Sequence, residues 1–262
     1  MYNGTSVQLA RKIRQHSLRM ANKAHTSHVG SCLSCADILA VLYGEVMQYR
    51  TENPTWDSRD RFILSKGHAG AALSATLAEC GFFPTSALDY HCQSASALLG
   101  HVSHLVPGVE VSTGSLGHGL PISCGMALAA KGIVYVLLSD GDLNEGSTWE
   151  AAMFASHHKI SNLVAIIDYN QLQALGHSMH VLDLKPITDK WKAFGWDTWM
   201  LDGHSHYQLS KALLSPSTGR PKCLIAFTTK GKGVSFMENK VEWHYKSPTD
   251  EELRIALEKL EV

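Results

Sequence analysis

Five short runs of aliphatic residues recur along the chain and predict β-strands. The runs are continuous rather than alternating, which is typical of strands covered on both faces. Apolar residues with helical spacing fill the segments between them, so the pattern predicts an α/β fold, a doubly wound and mostly parallel sheet with helices on both faces. The predicted strands span residues 61–65, 133–138, 163–168, 197–201 and 223–227, and the predicted helices span 7–24, 35–48, 70–80, 117–130, 146–158, 187–194, 207–214 and 249–260.

One apolar stretch, residues 119–138, is as long as a membrane span, which needs about 20 residues. Because it contains Pro121, Lys131 and Gly132, we interpret it as a buried helix, a turn and a buried strand. The N-terminus lacks the basic-then-apolar pattern of a signal peptide. We find no repeat and no linker, so residues 1–262 are predicted to form one domain without a membrane partner.

Composition narrows the classes of partner. The chain has 24 acidic and 23 basic residues and a net charge of −1, which gives no electrostatic footprint for nucleic acid. Charged residues make up 18% of the chain, below the roughly 25% typical of soluble proteins, so we expect much of the surface to be buried in a sheet covered on both faces or against other subunits. The six cysteines have no regular spacing, which favours a reducing, cytoplasmic location.

A zinc site near the N-terminus is one alternative. His25, His28, Cys32 and Cys35 have a compact spacing that zinc ligands also show. However, residues 34–37 have the pattern of a capping box that opens an apolar helix, which would direct Cys35 into the core. We therefore favour packing over metal binding for the two cysteines.

Two polar residues follow neighbouring predicted strands. Asp140 comes after the strand that ends at residue 138, and Asn170 after the strand that ends at residue 168. Carboxyl ends of neighbouring parallel strands meet at the edge where α/β sheets bind ligands. Carboxylate and amide oxygens suit Mg²⁺, which completes its shell with phosphates and water. From these residues alone, Asp140 and Asn170 could equally form a magnesium–phosphate site or be ordinary turn residues. In the same way, the glycine-rich segment 114–119 could be a ligand-binding loop or only a tight turn.

Residues 139–146 (SDGDLNEG), 149–151 (WEA) and 168–170 (DYN) resemble the thiamine diphosphate motif of transketolases. Further matches extend the resemblance over essentially the whole chain. Each match is weak alone, but their order and spacing together are specific. The matching segments are SHVG (27–30), RDRFILSKGH (59–68), GH (100–101), STGSLGHG (112–119), SDGDLNEG (139–146), WEA (149–151), DYN (168–170), AFGW (193–196), DGH (202–204), KGKG (230–233) and WH (243–244).

The resemblance implies a cofactor, thiamine diphosphate, anchored by Mg²⁺ (or Ca²⁺) in the family's diphosphate-binding fold. It implies that Asp140, Asn170 and the backbone carbonyl of Leu172 bind the metal. Lys66 is a further candidate partner for an anion. The other cofactor-binding residues that it implies are His68, Gly114, Ser115, Leu116, Gly141, Asp142, Glu145 and Lys246.

Four histidines in the matching motifs are the implied catalytic residues. By resemblance, His28 and His101 would bind sugar hydroxyls near the reacting carbon. His68 and His244 would line the thiazolium and diphosphate side and move protons. Imidazole suits this task because its ordinary pKa, near 6.5, lets it give or take a proton at neutral pH.

Two departures from the family pattern leave substrate identity open. Ser139 stands where the family usually has a glycine, and Tyr245 stands where a glycine usually follows the tryptophan–histidine pair. A tyrosine there would narrow or redirect the substrate channel. Neither departure affects the cofactor prediction.

The resemblance implies transfer of a two-carbon ketol unit from a ketose or ketose phosphate to an aldehyde. In the family, a glutamate of the pyrimidine-binding domain activates the cofactor. We expect that domain and the C-terminal domain on a partner chain, a C-terminal transketolase subunit, so that this chain is the N-terminal subunit of a split α2β2 enzyme and is inactive alone.

Several alternatives to this function are kept. The acceptor could instead be a lipoyl group or a carrier protein. A 1-deoxyxylulose-phosphate synthase is disfavoured because Trp243 and His244 match transketolase. A non-catalytic binding module is disfavoured by the intact metal and histidine residues.

Overall fold

The computed structural model describes residues 2–261, whose centre is a parallel β-sheet. Across the sheet, the strands follow one another in the order of those that begin at residues 61, 134, 163, 222 and 197, and every neighbouring pair of strands is parallel. A small antiparallel hairpin lies outside the sheet. The strands are β1 Arg61–Leu64, β2 Val134–Ser139, β3 Leu163–Tyr169, the hairpin strands β4 Leu172–Gln173 and β5 Gly176–His177, β6 Asp197–Asp202 and β7 Lys222–Phe227.

Helices connect the strands and cover both faces of the sheet. They are α1 Ser6–Ala24, α2 Val29–Val41, α3 Gly70–Glu79, α4 Gly119–Ala129, α5 Gly146–His157, α6 Ser178–Val181, α7 Ile187–Ala193, α8 His206–Leu213 and α9 Asp250–Glu261. A π-helical turn, Leu42–Val46, extends α2, and 3₁₀ turns occupy Gly67–Ala69, Thr85–Tyr90, Gly141–Asn144 and Val241–His244.

The alternation of side chains along the strands divides the core into two layers. On β2, Tyr135 and Leu137 pack with α1, α2, α3 and α8, whereas Val136 and Leu138 pack with α4, α5 and α7. All residues of β2 and β3 are buried, because successive side chains point to opposite and equally covered faces. The predicted doubly wound α/β fold is therefore confirmed, with each of the five sheet strands within one residue of its predicted bounds.

The predicted start of the second helix at residue 35 is wrong. Helix α2 begins at Val29, and His28 precedes it in a left-handed conformation with φ 75°. Ser34 does not cap the helix but lies inside it, where its hydroxyl donates to Asp168 Oδ2 at 2.6 Å. Every residue of α2 is buried, so the helix has no polar face that would mark its start in the sequence. The hairpin β4–β5 and the short helix α6 are also absent from the prediction.

The apolar stretch 119–138 forms helix α4 followed by strand β2, as predicted. Among residues 2–261, one helical stretch, Val29–Val46, has the length and composition that could cross a membrane. In this fold 89% of that stretch is buried, where α2 packs against α1 and α3. It forms a central core helix here.

Candidate active site

A cavity of about 280 Å³ opens at the carboxyl edge of the sheet. Lys66 follows β1, Asp140 follows β2 and Asn170 follows β3, so parallel topology brings the ends of three strands to one place. Five other segments complete the walls, at positions 28–31, 101, 114–116, 230 and 244. The cavity brings together most of the predicted residues, namely His28, His68, His101, Gly114, Leu116, Asp140, Gly141, Asn170, Leu172 and His244.

The Asp140 carboxylate has one oxygen without a partner. Oδ2 accepts a hydrogen bond from Ser178 Oγ at 3.2 Å, but the buried Oδ1 meets no donor within residues 2–261. Burial, together with the charge of Asp168, raises the pKa of Asp140 to about 7. An unpaired buried oxygen destabilises a fold unless something else satisfies it. The environment of Asp140 therefore suits a cation ligand.

Asn170 and Leu172 present two more oxygens at the same edge. Asn170 Oδ1 accepts from Leu172 N at 3.0 Å across a turn in which Gln171 has φ 64°. The Leu172 carbonyl accepts from Lys230 Nζ at 3.1 Å. Because carbonyl oxygens have two lone pairs, both groups keep capacity for a cation. Carboxylate, amide and carbonyl oxygens are a donor set suited to Mg²⁺ or Ca²⁺.

The structure does not assemble the alternative zinc site. Within residues 2–261, no group of three or more His, Cys, Asp or Glu side chains lies close enough to hold a metal ion. Cys32 and Cys35 are buried in the core, and burial raises their pKa values to about 11 and about 12. Both therefore stay thiols at neutral pH, whereas zinc binds thiolates.

A buried ion pair forms the base of the cavity. Lys66 Nζ bonds to Asp168 Oδ2, and both side chains are fully buried. Burial disfavours the charged lysine, but the Asp168 charge outweighs this and raises the pKa of Lys66. Since Asp168 neutralises most of that charge, Lys66 is a weaker anion partner than the sequence suggests.

The four predicted histidines form one cluster. The rings of His68, His101 and His244 all lie around His28, and the ring centroids in contact are 4.9–5.5 Å apart. Burial, helped by the charge of His101, lowers the pKa of His28 to about 4. Burial, helped by Lys230, lowers the pKa of His244 to about 3, and burial also lowers that of His68. These three rings are neutral at pH 7, so each can donate one hydrogen bond and accept another.

Comparison with known proteins decides the family. The family model described as "Transketolase, thiamine diphosphate binding domain" matches residues 5–261. The chain belongs to the transketolase family. Members of this family are transferases, and the match covers the whole sheet and the cavity.

Relatives of similar length are transketolase subunits. The chain is 42% identical over 253 residues to an apulose-4-phosphate transketolase subunit of Phocaeicola vulgatus, covering 94% of this chain and 90% of that protein. It is 38% identical over 260 residues to a 6-deoxy-6-sulfo-D-fructose transketolase subunit of a Clostridium species, covering 96% and 94%.

A solved transketolase has the same fold but is longer. The crystal structure of the Campylobacter jejuni enzyme superposes with a TM-score of 0.90 at 30% identity and covers 98% of this chain. The match covers 42% of the Campylobacter chain, so this chain spans about two fifths of that transketolase.

Lys246, which the resemblance implies binds the cofactor, does not line this cavity. The side chain is exposed, its Nζ is 2.5 Å from Glu252 Oε1, and it lies over the Trp243 ring at 4.5 Å. The buried lysine beside the metal-ligand candidates is Lys230, whose pKa is lowered to about 8 by burial and by the charge of Lys66. No role for Lys230 is predicted from the sequence. Its one indication was its place in the matching motif KGKG, residues 230–233.

Asp142, another implied cofactor-binding residue, does not line the cavity but connects neighbouring loops. Its buried carboxylate accepts from Ser65 Oγ at 2.5 Å, from Gly117 N at 2.9 Å and from Ser139 N at 2.8 Å. These bonds tie the glycine-rich loop to the ends of β1 and β2. Glu145 and Ser115, also predicted to bind the cofactor, are exposed and do not line the cavity of this chain.

The two departures from the family pattern differ in their surroundings. Ser139 Oγ donates to Asp142 Oδ2 at 2.8 Å, so the serine adds a bond to the same loop anchor. Tyr245 is 59% exposed, and its ring lies 5.0 Å from that of His244. Tyr245 therefore lies next to the histidine cluster without lining the cavity.

Proposed function

We propose that this chain is the diphosphate-binding, N-terminal subunit of a two-chain transketolase. The observation that carries the proposal is Asp140 Oδ1, which meets no donor within residues 2–261 and is buried beside Asn170 and the Leu172 carbonyl at the carboxyl edge of a transketolase-family sheet. In this proposal the three residues bind Mg²⁺ or Ca²⁺, and the cation binds the diphosphate of thiamine diphosphate. Gly114 and Gly141 offer backbone to the same cavity without side chains in the way.

When bound, thiamine diphosphate supplies the nucleophile and the electron sink for cleaving and remaking a carbon–carbon bond. The chain's own residues bind, orient and exchange protons. We propose that His101 and the neutral ring of His28 bind hydroxyls near the reacting carbon of the sugar. His68 lines the same cavity, within ring contact of His28 and His244, and is placed to hold or move a proton.

The proposed partner is a C-terminal transketolase subunit. Relatives of matching length are named as subunits, and this chain spans about two fifths of a full transketolase. Leu175 lines the cavity mouth and is 83% exposed, with Met179 and Leu182 exposed nearby in sequence. Exposed apolar side chains at the rim favour a covering chain. We propose an α2β2 complex in the cytoplasm, in which the partner supplies the pyrimidine-binding domain and its glutamate.

The proposed substrate is a ketose that carries an anionic group, with an aldehyde as acceptor. The relatives' names specify a sugar 4-phosphate and a 6-sulfo sugar. Both names point to an anionic sugar rather than to a lipoyl group or a carrier protein. We therefore prefer a ketose phosphate, or a related anionic ketose, as the donor.

Reconstitution tests this function. The chain is mixed with its candidate C-terminal subunit, thiamine diphosphate, Mg²⁺ and a panel of ketose phosphates, and product aldoses are measured. We expect turnover only in the complete mixture. His101→Ala should lose most of the turnover, while His104→Ala, an exposed histidine outside the cavity, should retain it. Turnover by the isolated chain, or none in a complex that has bound its cofactor, would contradict the proposal.

A further inference from the structure

Lys230 connects the metal-ligand candidates with the histidine cluster. Its side chain is 1% exposed, and Nζ lies 3.1 Å from the Leu172 carbonyl oxygen and 3.0 Å from His244 Nδ1. We propose that Lys230 is a positioning residue that fixes the proton of His244 on Nε2, so that this ring serves the cavity as a hydrogen-bond donor. The catalytic meaning rests on the proposed function, whereas the position of the proton does not.

While Lys230 carries its positive charge, as a pKa of about 8 implies at pH 6.5, the contact with His244 leaves one arrangement. An ammonium group has three N–H donors and no lone pair, so His244 Nδ1 has to accept from Lys230. A neutral imidazole carries one proton, which then lies on Nε2. Burial and the nearby Lys230 charge keep His244 neutral, in line with its lowered pKa of about 3.

The backbone holds Lys230 in this position. Gly231 N donates to Gly30 O at 3.0 Å, which fixes the loop against the start of α2. A Cβ on Gly30 would lie 3.2 Å from Lys230 Cγ, so the glycine leaves room for the lysine side chain. On the other side, Thr229 N donates to His204 Nε2 at 2.8 Å. The contact with His244 is therefore part of an ordered loop and not a free lysine rotamer.

A fixed Nε2 proton limits what His244 can do. The nitrogen left for the cavity can donate to an anionic phosphate oxygen or to an oxygen of the sugar. The same nitrogen has no lone pair and cannot remove a proton. By resemblance, both His68 and His244 would move protons. If His244 cannot accept one, His68 or His28 has to remove the proton. Lys230 thus separates the roles of rings that are otherwise similar.

Nitrogen-15 NMR of the imidazole rings tests this inference without any cofactor. At pH 6.5, the ¹⁵N shifts and two-bond proton couplings show which ring nitrogen carries the proton, and loss of peaks in His244→Gln assigns them. We expect a single Nε2–H tautomer for His244 in the wild-type chain. Nδ1–H in the wild-type chain, or a positively charged ring, would overturn the inference even if the enzyme proves to be a transketolase.

Variants of two buried lysines distinguish a specific effect of Lys230 on the His244 tautomer from a general effect of lost packing. Lys230→Met removes the donor at similar length, so we expect the His244 signals to become a mixture of tautomers or to change to Nδ1–H. Lys230→Arg keeps a donor-only group and should keep Nε2–H. Lys222, whose Nζ bonds to Ala212 O at 3.0 Å and Ser215 O at 2.9 Å, is the matched control. An unchanged His244 tautomer in folded Lys230→Met, or the same change in Lys222→Met, would contradict a specific role for Lys230.

Discussion

Asp140→Ala is expected to abolish the magnesium-dependent binding of thiamine diphosphate by this chain. Asp140 is the one carboxylate among the three proposed ligands, and its Oδ1 has no other partner within the described chain. Loss of an outer-sphere contact already weakens metal affinity by roughly 10–100-fold. Loss of the charged ligand itself should therefore weaken binding by more than about 100-fold, which isothermal titration calorimetry with and without Mg²⁺ measures.

Two controls make the Asp140 result specific. Asp183→Ala removes an exposed aspartate outside the cavity and should leave the affinity unchanged. Asp140→Ala should also change the free energy of unfolding of the cofactor-free chain by less than about 1 kcal/mol, because removing Oδ1, which lacks a donor within residues 2–261, offsets the loss of the bond from Ser178 Oγ to Oδ2. Unchanged magnesium-dependent affinity in a folded Asp140→Ala variant would refute the ligand assignment.

Lys66→Met is expected to give the largest loss of stability among single changes at the site. The variant leaves the fully buried Asp168 carboxylate without its cation, although Ser34 and Thr228 still donate to it. Breaking a buried ion pair in this way costs about 3–5 kcal/mol in other proteins. Urea unfolding followed by circular dichroism should therefore show a lower free energy of unfolding by about that amount.

A double variant and a surface pair check the cause of this loss. Lys66→Met combined with Asp168→Leu removes both charges and should recover much of the lost stability, since no buried charge remains unpaired. Lys246→Met breaks the exposed pair with Glu252 and should cost less than about 1 kcal/mol. If Lys66→Met costs no more than Lys246→Met, the buried pair does not stabilise the base of the site.

The strands could be predicted because their burial is uniform. Residues 134–139 and 163–169 are covered on both faces, so the sequence shows unbroken aliphatic runs bounded by polar residues. Helix α2 could not be placed as well, because it is buried on every side and lacks amphipathic periodicity. Its start depends on the left-handed backbone of His28, a conformation that residue type alone does not reveal.

Some features of the site could likewise be predicted from the sequence, and others could not. That Asp140 and Asn170 lie close together follows from parallel topology, which sequence spacing does reveal. The sequence could not show which of Lys230 and Lys246 lines the cavity, because both follow the last strand β7 on irregular segments whose path depends on tertiary contacts. Two of the donors to Asp142, Ser65 and Gly117, lie far from it in the sequence, so its contacts could not be predicted from neighbouring residues.

A crystal of the chain grown with thiamine diphosphate and manganese would test the central claim most directly, because manganese replaces magnesium and scatters anomalously. We expect one anomalous peak about 2 Å from Asp140 Oδ1, Asn170 Oδ1 and the Leu172 carbonyl oxygen, in contact with the diphosphate. A diphosphate bound without a cation at those oxygens, or an anomalous peak elsewhere in the chain, would contradict the account.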